Sequence, residues 1–231
     1  MRPLVLVPGL MCDAGLFAGV LPALSRHRAV LLADVGRDDS MTAMAGRLLG
    51  QLAGPFDLAG FSMGGMVAME VARLAPARVA SLALMDSNAA ADAPATADWR
   101  ASCIAEAARG GLARLMREEI VPRYFSPGRP SPEIALACLQ TAEALGPAVF
   151  ARQFQALAGR RDQHDTLAAH SGRALVLRGA EDDLCNEDSH RRMARALRRA
   201  DYVEIAGAAH LSVLQEPEAV ARALLDWLDK E

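Results

Sequence analysis

Six short apolar runs that do not alternate with polar residues, at 4–7, 29–35, 56–61, 79–85, 174–177 and 202–205, constrain the fold of this chain more than any other feature. A strand with one face in water alternates apolar with polar, whereas a strand covered on both faces is apolar throughout. These runs therefore predict the buried strands of a parallel sheet. Helical spacing fills the gaps. Residues 15–25 and 41–52 are spaced for amphipathic helices, the second opening at Asp39 or Ser40 as N-cap. Residues 63–74 stop ahead of Pro76, 188–199 form an arginine-rich pattern, and 217–228 begin with a proline, which the first helical turn tolerates. Such alternation predicts an α/β fold: a mostly parallel, doubly wound sheet joined by right-handed crossovers.

The rhythm fails once. Between 87 and 171 there is no strand pattern, only helix-like stretches at 99–109, 112–120, 133–145 and 148–157. Loop signals such as Ser126-Pro127-Gly128 and Pro130-Ser131-Pro132 separate some of them. An interval of about eighty residues is too long for a plain crossover. The expectation is a helical cap insertion over 89–170, set on a core built from 1–88 and 171–231, and 231 residues suffice for one large core.

Charge and residue usage narrow the chemistry. A net charge of -3 gives no reason to expect a nucleic-acid or anionic-membrane partner. The apolar stretch 3–11, interrupted by Pro8-Gly9, is too short to span a bilayer and reads as a strand rather than a signal peptide, so a soluble, cytoplasmic protein is expected. Cys12, Cys103, Cys138 and Cys185 contain no C-x-x-C pair, which fits free thiols in a reducing compartment. The five histidines lack ligand spacing, and no metal site is expected. The only lysine is Lys230. Schiff-base chemistry and a P-loop each need a lysine inside the fold, so both classes are excluded. Heavy Ala and Arg use with so little Lys fits a GC-rich bacterial genome.

The strongest local signal is Gly60-Phe61-Ser62-Met63-Gly64, followed by Gly65. A strand pattern runs into it and a helix pattern leaves it. A sharp strand-to-helix turn lifts the serine hydroxyl clear of the sheet, and only glycines two residues either side let the neighbouring backbone approach so closely. The helix N-terminus adds amide donors beneath the hydroxyl. A serine nucleophile needs a base, and His210 is placed for it, in the loop after the last strand at the sheet edge where strand C-termini gather. His27, His164, His170 and His190 stand in polar or helical surroundings and read as surface residues. The imidazole needs a carboxylate to fix its tautomer. Asp182, after the fifth strand, is the choice, with Glu181 and Asp183 as rivals one residue away and Asp86 as a further candidate.

Together, Pro8-Gly9-Leu10, the 60–64 turn, Gly179-x-x-Asp182 and Ala209-His210-Leu211 resemble the α/β-hydrolase superfamily, and within it the capped carboxylesterase-like serine hydrolases of bacteria. The likeness covers nearly the whole chain and is weakest in the cap. It implies an oxyanion hole made by the backbone N–H groups of Leu10 and Met63; losing one such donor costs roughly 3–4 kcal/mol of transition-state stabilisation. The chain departs from the family pattern at Pro8, where histidine is frequent, at Asn186, where proline is usual, and at Ala209, where glycine is usual. Cap residues set specificity in such proteins, so Trp99, Met116, Tyr124, Phe125 and Phe150 are expected to line a pocket, with packing of the cap's own core as the alternative. Nine arginines and nine acidic residues fall in the insertion: a carboxylate-bearing substrate or a solvated, charge-mixed face accounts for them equally.

The expected reaction is hydrolysis of a small carboxylic ester or thioester through an acyl-serine intermediate, with no cofactor. The same side chains serve C–C bond hydrolysis or a cofactor-free lyase step, and a non-catalytic ligand-binding member of the fold is the alternative from a different class. Serine at the turn disfavours the aspartate-nucleophile dehalogenases and epoxide hydrolases. Leaving group, acyl length and oligomeric state are not written in the sequence.

Overall fold

The computed structural model describes residues 2–26 and 28–229; His27 lies outside them. Six parallel strands, β1 (Leu4–Val7), β2 (Val30–Leu32), β3 (Phe56–Phe61), β4 (Val79–Met85), β5 (Arg173–Gly179) and β6 (Ala200–Ile205), form one sheet in the order β2-β1-β3-β4-β5-β6. The chain starts in β1, next to one edge, adds β2 as that edge and then builds β3 to β6 in succession on the other side. The expected strand over 29–35 is shorter, ending at Leu32. It is an edge strand, and the chain turns away at Asp34, whose carboxylate accepts the Gly36 N–H at 2.9 Å.

Both faces of the central strands are buried because each carries apolar side chains up and down. Leu4, Leu6, Phe61, Met85 and Leu177 face one layer, with Val220, Leu224 and Trp227 of the C-terminal helix (Pro217–Asp229). Val5, Val7, Leu58, Leu84 and Val176 face the other, against α1 (Met41–Gln51), α2 (Met63–Leu74) and α3 (Glu187–Ala196). Burying each such side chain contributes about 1.5–3 kcal/mol. Ser40 is the N-cap of α1, its hydroxyl accepting the Ala43 N–H at 3.2 Å. The helix expected over 15–25 is instead two single turns, Ala14–Phe17 and Leu21–Leu24. Between them Gly19 lies so close to Pro217 that a β-carbon would sit 2.7 Å from the proline ring.

The segment between β4 and β5 is helical. One helix (Ala97–Glu106) continues in a wide turn that breaks at Gly110 (φ 93°) and resumes from Leu112 to Ile120, and a second covers Pro132–Ala158. The second is broken at Gly146 (φ 78°), followed by Pro147, which supplies no N–H, so its two halves correspond to the separate helices expected at 133–145 and 148–157. By length and composition it could cross a bilayer, and its most apolar stretch is largely unburied, with Leu136 exposed. Its second half carries Phe150, Gln153 and Phe154 inward. These aromatics join the same apolar cluster as Leu4, Phe61 and Leu177, so the insertion shares the core of the sheet rather than forming one of its own.

Candidate active site

The parallel arrangement sends every loop after a strand to one edge of the sheet, and three of those loops meet there. At the first, Ser62 sits between β3 and α2 with φ 52° and ψ −118°, a left-handed conformation that an ordinary side chain avoids. The turn is locked from several sides. The Ser62 N–H donates to Met85 O at 2.8 Å, and the Ser62 carbonyl accepts from Gly65 N at 2.9 Å and from the Ser87 hydroxyl at 2.8 Å. The glycines are there for contact: a β-carbon at Gly60 would stand 2.6 Å from Gly65 N, and one at Gly64 would stand 2.6 Å from Pro8 O.

His210 arrives on the loop after β6. Its Nε2 lies 3.0 Å from Ser62 Oγ and its Nδ1 lies 3.0 Å from Asp182 Oδ2, so the three side chains are hydrogen-bonded in series. The other Asp182 oxygen accepts the N–H groups of Leu184 (2.9 Å) and Cys185 (3.0 Å), which fixes the carboxylate plane. The imidazole is stacked on Tyr124 at 5.4 Å and tilted against Phe61 at 5.5 Å, and its backbone N–H donates to Tyr124 O at 3.2 Å. Burial alone would lower the His210 pKa, but the adjoining Asp182 carboxylate outweighs it and leaves the group above its ordinary value. For Asp182 burial works upward and is outweighed by the charge and hydrogen bond of His210, so the carboxylate stays below its usual range and ionised.

The rival acids occupy other roles. Glu181 accepts from the Ser126 hydroxyl at 2.5 Å and pairs with Arg129, and Asp183 is exposed. Asp86 is fully buried at the end of β4; its oxygens accept the Gly179 N–H (2.7 Å) and the Ser212 hydroxyl, not His210. Burial, and then the neighbouring Asp182 charge, push Asp86 up to about 8, so it is a neutral acid at neutral pH. Two other histidines depart from expectation. His190 is fully buried on the inner side of α3, where Nδ1 meets Asn186 O at 3.0 Å and Nε2 accepts the Ser87 N–H at 3.1 Å. His170 is buried as well, while His164 pairs with Asp162 at 2.9 Å on the outside. Helical surroundings gave no hint that His190 lies on the inward face. Asn186, standing where the family usually has proline, is the N-cap of α3, its side chain accepting the Ser189 N–H at 3.0 Å.

Two groups of potential metal ligands lie here, Asp182 with Cys185 and His210, and Asp86 with Asp182 and His190. The ring nitrogens of both histidines already have hydrogen-bond partners, and burial pushes the Cys185 thiol well above its ordinary range, away from the thiolate a metal needs.

Ser62 and His210 open onto a cavity of about 330 Å³, lined also by Leu10 and Met63. This volume is at the small end of ligand sites, roughly 300–1,000 Å³. Of the expected pocket residues, Trp99 and Tyr124 line it. Met116, Phe125 and Phe150 do not: Met116 and Phe150 are buried in the shared core, and Phe125 packs half-buried against it. Phe150 instead stacks at 4.1 Å on Phe154, which does line the cavity. Sequence reasoning missed Arg100, Arg123 and Arg160 as lining residues, because helical periodicity does not tell which arginine of a charged insertion faces inward. It also missed Gln153, whose buried amide accepts the Met11 N–H at 2.9 Å and donates to Val35 O at 3.3 Å. Met11 has φ 50°, and this bond holds the loop after β1 in that conformation.

The comparisons with known proteins agree with this architecture. The chain is 30% identical over 247 aligned residues to the dihydrolipoyllysine-residue acetyltransferase component of the acetoin cleaving system of Pseudomonas putida, matching over 99% of its own length. It spans 64% of that relative's length. Among solved structures it superposes on a thermophilic esterase from Thermogutta terrifontis with TM-score 0.88, 29% identity, and coverage of 99% of this chain and 89% of the other. An enol-lactonase from Burkholderia xenovorans LB400 gives TM-score 0.88 at 22% identity, over 99% and 92% of the two chains. The 2-hydroxy-6-oxo-6-phenylhexa-2,4-dienoate hydrolase of Rhodococcus sp. strain RHA1 gives 0.77 at 20%, over 99% and 91%. The last two share the fold alone. A family model matches residues 4–223, nearly the full length, and the chain belongs to the alpha/beta hydrolase family.

Proposed function

We propose that this chain is a serine hydrolase that cleaves a small carboxylic ester or thioester through an acyl-Ser62 intermediate. The observation that carries the proposal is the unbroken series from Ser62 Oγ through His210 to Asp182, with 3.0 Å at each step, opening onto the cavity. Ser62 Oγ attacks the carbonyl carbon while His210 Nε2 takes its proton. The imidazolium that forms is stabilised by Asp182, which stays ionised. As the tetrahedral intermediate collapses, His210 returns the proton to the departing alkoxide or thiolate, and water then repeats the cycle to free the acid and Ser62. The backbone N–H groups of Leu10 and Met63, at the mouth of α2, are the donors for the oxyanion. Met63 is the first residue of α2, where an N–H has no partner within the helix.

A fluorophosphonate probe tests this directly. The expected result is stoichiometric labelling at Ser62, lost in Ser62→Ala together with esterase activity. Labelling elsewhere, or full activity in Ser62→Ala, refutes it. A panel of methyl esters, acyl thioesters and C–C-linked diketones run on the labelled-competent enzyme separates ester cleavage from the other reactions the same side chains could perform.

A further inference from the structure

The side chains lining the Ser62 cavity include three guanidinium groups, Arg100, Arg123 and Arg160, and no carboxylate. Arg100 and Arg160 share one acid. Asp92 receives Arg100 through two bonds (2.6 and 3.0 Å) and Arg160 at 2.6 Å, so two positive charges meet a single negative one. Both arginine side chains are largely buried. Burial holds Arg160 below its ordinary range, and Asp92 does not fully offset it. Arg123 is accessible, and among the described residues no carboxylate or carbonyl pairs with it; its guanidinium stands 6.0 Å over the Trp99 ring. Glu106, Glu118 and Glu119 are gathered around Arg114 and do not line the cavity, although Glu119 also accepts the Trp99 indole N–H at 3.4 Å. The cavity therefore carries an excess of about two positive charges beside the nucleophile. A guanidinium fork with no carboxylate partner at the exposed rim of a small, partly apolar cavity matches a planar carboxylate better than any neutral group.

We infer that Arg123, with the Arg100–Asp92–Arg160 cluster, forms an anion subsite, and that the substrate of this chain carries a free carboxylate remote from its scissile carbonyl. This rests on the serine-hydrolase reading of the same cavity, which supplies the scissile bond. Among the arginines of the insertion, the subsite explains why these three face inward while Arg114 and Arg129 are tied up by glutamates outside.

The test compares matched ester pairs. For a carboxylate on the acyl side, methyl hydrogen glutarate is set against methyl pentanoate; for one on the leaving group, 4-carboxyphenyl acetate is set against 4-carbamoylphenyl acetate. Wild-type enzyme is expected to prefer the anionic member of one pair by about tenfold or more in kcat/KM, as a charge-assisted contact provides. The pair that shows the preference tells which end of the substrate lies on the arginines. In Arg123→Gln the ratio falls toward one, whatever happens to the absolute rates. Arg191→Gln, which removes the same charge from an exposed helix face, keeps the wild-type ratio. High salt compresses the ratio in the unmodified enzyme, which needs no variant to fold. A wild-type ratio near one in both pairs, or a preference that survives Arg123→Gln, overturns the inference. If wild type turns over no ester, the hydrolase reading fails while the subsite is still tested: glutarate is expected to raise the Tm of wild type but not of Arg123→Gln, and glutaramide to raise neither. Equal shifts from the two ligands overturn the subsite.

Discussion

Gln153→Leu separates the cap's structural role from its role in catalysis. The substitution nearly preserves volume but removes the acceptor of the Met11 N–H (2.9 Å) and the donor to Val35 O (3.3 Å), at residues that are themselves buried. An orphaned buried backbone group costs about 1–3 kcal/mol, and the longer bond contributes less, so the expected total is about 2–3 kcal/mol. For a chain of this size that lowers Tm by about 4–12 °C. The functional effect follows from position. Met11 succeeds Leu10, whose N–H is the proposed oxyanion donor, and the left-handed Met11 backbone relaxes once its partner is gone. Complete loss of one oxyanion donor costs about 10²–10³ in kcat, and a displaced donor at least about tenfold. The assay is kcat and KM for a neutral methyl ester, with a thermal melt on the same samples. The expected result is a reduced kcat with KM nearly constant, because the donor acts on the transition state. Gln153→Glu, held neutral by burial, keeps an acceptor for Met11 and an O–H for Val35 O, and it is expected to retain more kcat than Gln153→Leu. A melt lowered as calculated with kcat unchanged would refute the link between Gln153 and the oxyanion loop.

Other outcomes follow from the same geometry. Asp182→Asn keeps the bonds to Leu184 and Cys185 but cannot accept from His210 Nδ1, so kcat is expected to fall about 10⁴-fold, whereas Asp183→Asn changes it little; steady-state kinetics distinguish them. On the proposed mechanism His210 acts as a base only when neutral, and Asp182 holds its pKa above the ordinary 6.5, so kcat/KM is expected to rise with pH through an inflection above that value. Asp86 holds a proton in the native state up to about 8 that the unfolded chain has released above 3.8. Between those values the native state binds the extra proton, and stability falls as pH rises, by up to about 1.4 kcal/mol per unit. Melts of Asp86→Asn are expected to lose this slope while wild type keeps it; parallel slopes would place the titration elsewhere.

How much could be read from the residues alone depended on how local the information is. The 56–74 strand, turn and helix are consecutive, so the serine's exposure at a strained corner was legible from one short stretch, and Ser62 adopts φ 52° there. The buried strands were legible because a strand covered on both faces is mostly apolar, with the few exceptions, such as Asp57 and Ser81, paired to each other. At the sheet edge the pattern misled: β2 keeps only three residues, pairing on one side with β1, before the chain turns at Asp34. The insertion was legible as helices, since period survives without knowledge of neighbours, and the separate segments expected at 133–145 and 148–157 meet at the non-helical Gly146, φ 78°.

The sequence by itself determined the class of fold, the nucleophile's setting and the short list of acids, because each is fixed by spacing along a few residues. Only the tertiary structure set Asp182 against His210, because one residue of loop rotation would exchange it with its neighbours and the backbone N–H groups at 184 and 185 hold it, while Asp86, on another loop, is taken up by Gly179 and Ser212. It likewise decided that Gln153 braces Met11 across 142 positions, that His190 is buried, and that three arginines face the cavity. Contacts between distant segments depend on how helices seat on the sheet, and no periodicity in a single chain records that.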